Sequence, residues 1–339
     1  MVCNHSRLVI IGTIVISSSI IGPPVPAADF DADGIADLAI GIPQEIVDGI
    51  DQAGSASVLF GTPAGLTATD NQLWDQDDLV VADGAEQSDR FGFSLAAGDF
   101  NGDGTIDLAA GVPYEDIGTA INGGAVHVVY GIHGQGLAAP GNQLWHQGSP
   151  GIDGAVESHD IFGLSVCAGD FNGDGLDDLA IGAPFENSSL QLNVGNITIL
   201  NGAVFGLTGA GSQVWWDQDA DIEGQINFGW TLVAGDFNHD ARDDLVVGIP
   251  NKHLGGIADA GAVELLYGTP AGLDLRSGVD DLWHQDRDNV FGAAEAEYQF
   301  GYAIAAGDFD GDTFADLAVG GPYEDIGSAD DTGAVNVLY

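Results

Sequence analysis

The chain has 339 residues, with 52 acidic and 6 basic side chains and a formal charge of −46. A surface of that sign repels phosphate and attracts cations, so nucleic acid is excluded as a partner. Hydrophobic content of 45%, with 15 Phe and 6 Trp, suffices for a large core, so the charge does not signal disorder.

The first segment is secretory in character. Arg7 precedes an apolar run from Leu8 to Ile21, and Val25-Pro26-Ala27 offers a small-residue cleavage site, so residues 1–27 are expected to be a signal peptide. The run is short for a membrane span. Cleavage would leave no stable membrane insertion and a secreted or cell-surface protein. It would also remove Cys3 and leave Cys167 without a disulfide partner. Cys167 stands where sister segments carry Ala96, Val233 and Ala305, which makes it a core filler.

Residues 28–339 then repeat one unit, with Asp-rich loops opening at Asp29, Asp99, Asp170, Asp236 and Asp308, spaced by 70, 71, 66 and 72 residues. A hard cation such as Ca²⁺ takes about six to eight oxygen ligands, and alternating loop positions can aim their oxygens at one centre. Side-chain oxygens are assigned to loop positions 1, 3, 5 and 9, and a backbone carbonyl to position 7. In the first loop these are Asp29, Asp31, Asp33, Asp37 and the carbonyl of Ile35. In the second they are Asp99, Asn101, Asp103, Asp107 and the carbonyl of Thr105, and in the third Asp170, Asn172, Asp174, Asp178 and that of Leu176. The fourth set is Asp236, Asn238, Asp240, Asp244 and Arg242, and the fifth Asp308, Asp310, Asp312, Asp316 and Phe314. An EF-hand needs Glu at position 12. Here that position holds Ile40, Ala110, Ile181, Val247 or Val319, which excludes the EF-hand. Glycine suits the tight turn at position 6 and is present as Gly34, Gly104 and Gly175, but Ala241 and Thr313 replace it. Loops four and five are therefore expected to bind more weakly.

Around each loop the offsets are constant. Phe91-Gly92, Phe162-Gly163, Phe228-Gly229 and Phe300-Gly301 lie eight residues before the first Asp, and Gly54, Gly124, Gly195, Gly261 and Gly333 lie 25 after it. Each unit reads as four strands. Strand A runs from the Phe-Gly to the loop, as in 91–98, and strand B follows as Leu108 to Pro113. Strand C is Gly124 to Gly131 and its sisters, and strand D carries the tryptophans, as in Asn71-Gln72-Leu73-Trp74. The Gly-Thr-Pro-Ala-Gly-Leu segments at 61–66 and 268–273 are turns. Short antiparallel strands repeated in this way indicate an all-β fold, a β-propeller of about five blades.

The sequence of Phe-Gly, then Gly-Asp-Phe-Asn-Gly-Asp-Gly, then Asp-Leu-Ala-x-Gly-x-Pro resembles the FG-GAP repeat of integrin α-subunit propellers and of similar bacterial secreted proteins. The resemblance covers essentially all of 28–339. It implies Ca²⁺ between strands A and B at the bottom of each blade and ligand contacts at the top, with fewer units here than in integrins.

No His-Glu-x-x-His, Gly-x-Ser-x-Gly, phosphate loop or Cys-x-x-Cys occurs. His127, His146, His239 and His284 are scattered, as surface or core residues. The expected function is that of a secreted, calcium-binding, non-catalytic adhesion or ligand-binding module, with a protein or glycan ligand on the top face. The contact candidates there are Pro113-Tyr114-Glu115-Asp116 and Pro322-Tyr323-Glu324-Asp325. The alternatives are an extracellular hydrolase, for which paired carboxylates would suffice, or an architectural propeller accompanying another domain. Unit one is expected to lack strand A, with Ile21-Gly22 a chance match to the Phe-Gly offset, and unit five to stop after strand C at Tyr339. That reading predicts an open arc and a truncated product.

Overall fold

The computed structural model describes residues 14–15, 28–79, 84–188, 192–217, 225–275, 281–326 and 331–339. Five antiparallel sheets follow one another along the chain, so the architecture is an all-β propeller of five blades. Blade two shows the plan: strand A is Leu95–Gly98, B Asp107–Val112, C Ala125–Ile132 and D Gly136–Trp145, paired in that order. Blade three repeats it with Ser165–Gly169, Asp178–Ala183, Asn196–Asn201 and Thr208–Trp215. In blade four, strands Thr231–Gly235, Asp244–Ile249 and Ala262–Thr269 are followed by two short D pieces, Gly272–Asp274 and Leu282–Trp283. Blade five has Ala303–Gly307, Asp316–Gly321 and Ala334–Leu338.

Blade one departs from the expectation that it lacks strand A. Its strands Leu38–Ile42, Ser55–Phe60 and Thr67–Trp74 are joined at the A position by Ile14–Val15, which pair with Ile40 and Ala39. That strand comes from the segment read as a leader. Ile21-Gly22 lies outside the described residues.

Each strand's composition follows from its depth. Strand B of blades two, three and four is buried along its whole length, because neighbouring blades cover both faces, and its residues are accordingly small or branched and apolar. Strand D forms the outer edge, and in blade one it is mostly exposed and polar. The A strands of successive blades lie side by side and so line the axis. Four apolar cores, one at each junction of consecutive blades, hold the described structure together.

The constant offsets have a steric cause. Phe91, Phe162, Phe228 and Phe300 are each buried in the junction with the preceding blade. Phe162 bridges in parallel to Gly124, at the start of the preceding strand C. A Cβ on Gly124 would lie 2.2 Å from the Phe162 carbonyl oxygen, so no side chain fits. Burying each Phe contributes roughly 1.5–3 kcal/mol. Ser94 and Ser165 lock the contact by donating to the carbonyls of Gly163 and Gly229, both at 2.8 Å. The Phe-Gly therefore precedes strand A rather than opening it, since Gly92 turns the chain at φ +76° and the strand begins at Leu95.

The strand-D glutamines also join blades. The Gln72 carboxamide donates to the Leu137 carbonyl and accepts from the Leu137 N–H, both at 2.9 Å, acting as a short extra strand. Gln213 does the same to Leu273, at 3.0 and 2.9 Å.

Candidate functional site

The five Asp-rich loops connect strands A and B at one end of the blades, beside the turns between C and D. Their local hydrogen bonds preform an oxygen-lined turn. In loop two, Asp99 Oδ1 accepts from the N–H of Gly102 and Asp103 at 2.8 and 3.1 Å, and its Oδ2 from Gly104 at 2.9 Å. Asn101 and Asp103 each accept from the N–H two residues on, at 2.8 and 2.9 Å. Position 6 is left-handed in every loop: φ is +88° at Gly34, +83° at Gly104 and +87° at Gly175, and also +66° at Ala241 and +80° at Thr313. A side chain there is strained, which separates loops four and five from the rest.

The position-9 aspartates are buried clasps. Asp107 Oδ2 accepts from Phe100 N–H at 3.0 Å and its Oδ1 from Gly131 N–H at 2.9 Å, tying the loop to the end of strand C. Asp37 makes the same pair of bonds with Phe30 and Gly61, both at 2.8 Å. Burial away from water raises these carboxyls: Asp37 is pushed up to about 6, Asp178 and Asp244 to about 7, and Asp107 to about 8, against the pull of the donated N–H bonds.

Of the expected ligand sets, the structure gathers Asp29, Asp31 and Asp33 in loop one, and Asp308, Asp310 and Asp316 in loop five, with carboxylate oxygens within 4.8 Å of one another. In loops three and four, Asn172 and Asn238 instead turn their amide nitrogens onto Asp178 and Asp244, at 3.1–3.3 Å. Two aspartates that the loop pattern passes over join adjacent loops. Asp177 Oδ2 accepts from Asp99 N–H at 2.7 Å, and Asp243 Oδ2 from Asp170 N–H at 3.0 Å. Their signal was their shared place, one residue before the position-9 aspartate.

The opposite end is where strand B leads into Pro-x-Glu and where Phe-Gly begins the next unit. The expectation that Tyr114 and Glu115 form an open contact surface there is corrected. Glu115 is only 1% exposed and accepts from Gln76 Nε2 at 2.6 Å, across the junction of blades one and two. Tyr114 is half-buried under the Arg90 guanidinium and packs edge-on to Phe93. The reason is that Glu115 reaches across the blade junction to Gln76, while Tyr114 is held against Arg90 and Phe93 of its own unit. Tyr323 remains exposed. Half-buried Trp230 packs between Phe185 and Tyr302, edge-on to the first and tilted to the second, with ring centres 6.2 and 5.4 Å apart, near the axis at this same end.

His127 is buried against Phe91 and lowered to about 4 by loss of hydration, so it is neutral packing. Cys167 is a half-buried core residue, and its thiol is pushed up to about 12 by burial. Neither has the character of a nucleophile or base. Among the described residues no helix is long and apolar enough to cross a membrane.

This arrangement is a propeller whose blades are joined through Phe-Gly contacts and Asp-rich loops. The FG-GAP repeat pattern matches residues 25–59, 91–129, 162–200, 228–266 and 300–338, and the chain belongs to that family. It is 30% identical over 247 residues to integrin alpha-5 of Xenopus laevis, covering 68% of this chain and 20% of the relative. It is 34% identical over 166 residues to phosphatidylinositol-glycan-specific phospholipase D of Rattus norvegicus, covering 49% of this chain and 18% of that protein. The chain thus spans about a fifth of the length of these relatives. Among solved structures, the exotype rhamnogalacturonan lyase YesX aligns over 91% of this chain and 46% of its own, at 12% identity and a TM-score of 0.43.

Proposed function

We propose that the chain is a secreted, calcium-stabilised propeller that binds a protein or glycan ligand without catalysing a reaction on it. The observation that carries this reading is the division of labour between its two ends. Oxygen-rich turns occupy one end of the blades, with Asp29, Asp31 and Asp33 converging within 4.8 Å. At the other, the aromatic row Phe185, Trp230 and Tyr302 lies next to the axis, with Tyr302 exposed. Aromatic side chains give large contact area at low entropic cost, which suits a recognition surface. The loops would supply the side-chain and carbonyl oxygens of five calcium sites, with the position-9 aspartates as their deepest ligands. The ion would neutralise carboxylates that burial alone drives toward the protonated form.

The test is capture of proteins and glycans by the immobilised full chain, in calcium and in chelator. Capture is expected in calcium, and Trp230→Ala with Tyr302→Ala should reduce it at least tenfold with a near-normal melting midpoint. Capture unchanged by both substitutions would remove the aromatic end as the contact surface.

A second reading has its own support. The matched phospholipase D is far longer than its matched part, so this propeller would serve as an architectural module beside a further domain. A hydrolytic site in the propeller itself is less favoured. Asp160 and Glu186 do converge at the aromatic end, but both are buried between blades.

A further inference from the structure

Each blade junction carries the same three-residue joint at the aromatic end, and the chain fills it in different ways. One member follows the strand-D tryptophan, one precedes the Phe-Gly, and one follows the strand-B proline. Between blades one and two these are Gln76, Asp89 and Glu115; between two and three, Gln147, Asp160 and Glu186. Between three and four they are Asp217, Ile226 and Lys252, and between four and five Gln285, Tyr298 and Glu324. The first and third members touch in every case: Gln76 donates to Glu115 at 2.6 Å, Gln285 to Glu324 at 3.2 Å, and Gln147 to Glu186. At the third junction Lys252, the chain's sole lysine, donates to Asp217 at 2.6 Å, and both are buried.

The charges of these joints differ sharply. Lys252 neutralises Asp217 beside Ile226, and Tyr298 leaves Glu324 as the single anion among the three positions of the fourth joint, with Glu295 acting on it from the place of Glu157. At the first joint Arg90 adjoins Asp89, with its guanidinium 4.6 Å from the ring centre of Tyr114, the neighbour of Glu115. The second joint has Ile161 where Arg90 stands, and no basic residue in its three positions. Its Asp160 is 0% exposed and Glu186 8%, and the exposed Glu157 joins them, with one carboxylate oxygen from each within 4.8 Å of the others. None of the ion pairs among the described residues involves these three, and the nearby His159 is exposed.

Two buried polar atoms of this joint lack a hydrogen-bond donor. Asp160 Oδ2 accepts from Glu157 N–H at 2.7 Å, and its carboxyl lies against that of Glu186, so its Oδ1 has a donor only when the pair shares a proton. Gln147 is 2% exposed and gives its amide N–H to Glu186, while its Oε1 lacks a partner, as do the matching atoms of Gln76 and Gln285. Buried anions without a counter-charge are costly, and so is a buried oxygen with no donor. A hard cation would satisfy both, since every available atom is oxygen.

We propose that the junction of blades two and three binds one hard divalent cation through Glu157, Asp160, Glu186 and the Gln147 carbonyl. It lies at the end opposite the Asp-rich loops and stands in for the ammonium that Lys252 brings to the next junction. The ion is thus a non-covalent latch between two blades.

The chain supplies its own control, because the third joint is a metal-free solution to the same packing problem. The experiment counts bound Ca²⁺ per folded chain by equilibrium dialysis for the wild type, Glu186→Gln, and the triple variant Gln147→Asp, Asp160→Ile, Glu186→Lys. Both variants should bind one ion fewer than the wild type. The triple variant should also keep its melting midpoint in chelator within about 3 °C of the wild type in chelator. The difference of one ion is read whether or not the Asp-rich loops load, so failure of the loop sites would not mimic failure here. An unchanged count in a folded variant overturns the proposal and leaves a carboxyl pair sharing a proton. If Glu186→Gln does not fold, the triple variant decides alone, and a further substitution, Glu157→Gln, should lower the count in the same way.

Discussion

Blades four and five are built from the same positions, yet only one of them has its far face covered. Val263 in blade four is 0% exposed, because blade five packs on it, whereas Val335 at the matching place in blade five is 67% exposed. The loop phenylalanines differ in the same way: Phe100 is 0% exposed and Phe309 46%. A blade's own sheet therefore buries little of its apolar face. Burial comes from the next blade, as expected where each repeat contacts only its neighbours. Strand C of blade five, Ala334–Leu338, likewise pairs on one side only among the described residues.

The largest expected effect is that of calcium. A ligand binding only the folded state adds about 2.7 kcal/mol per site at a hundredfold excess over its dissociation constant, so several sites exceed the margin of an ordinary domain. Chelator should lower the melting midpoint by more than about 10 °C. An unchanged midpoint would show that the blades cohere without the ion.

Next come substitutions that weigh covered against uncovered positions directly. Phe100→Ala should cost about 3–5 kcal/mol, but Phe309→Ala less than about 1. Val263→Ala should cost roughly 2 kcal/mol and Val335→Ala under about 0.5. Denaturant titration reads all four. Equal losses within either pair would mean that blade five is covered in solution.

Acidity should then separate metal-free from metal-bound protein. Asp37, Asp107, Asp178 and Asp244 rise from 3.8 to between about 6 and about 8 in the folded, metal-free chain. The folded state holds protons that the unfolded chain releases, so this contribution is complete below about pH 4 and is lost as pH climbs toward 8. In chelator, melting midpoints should fall from pH 5 to pH 8, and calcium should flatten the slope. A metal-free midpoint that rises over that range would contradict the burial of these carboxyls.

The smallest effect ranks the loops. Asp103→Ala should lose more calcium-dependent stability than Asp312→Ala, because loop five holds Thr313 in the left-handed region where loop two has Gly104. Calorimetric calcium titrations of the two variants compare them, and a larger loss for Asp312→Ala would reverse the order.

Much of this molecule is written in local pattern. The Asp-rich turns, the Phe-Gly pairs and the glycine at the start of strand C stand at constant offsets because each answers a short-range demand: an oxygen-lined turn, a buried ring, a carbonyl with no room for a Cβ. The number of blades and their strand order follow from those offsets. What tertiary structure alone decided is where each side chain goes at a joint. Glu115 and Tyr114 read as an exposed acidic loop, but Glu115 meets Gln76 of the neighbouring blade and Tyr114 lies under Arg90. Asp217 and Lys252 lie 35 residues apart and meet only because two blades dock, just as Val335 lacks the cover that makes Val263 core. A repeat encodes its own turns and strands in its own residues, but its burial and its charge pairing belong to surfaces that exist only when the next repeat packs against it.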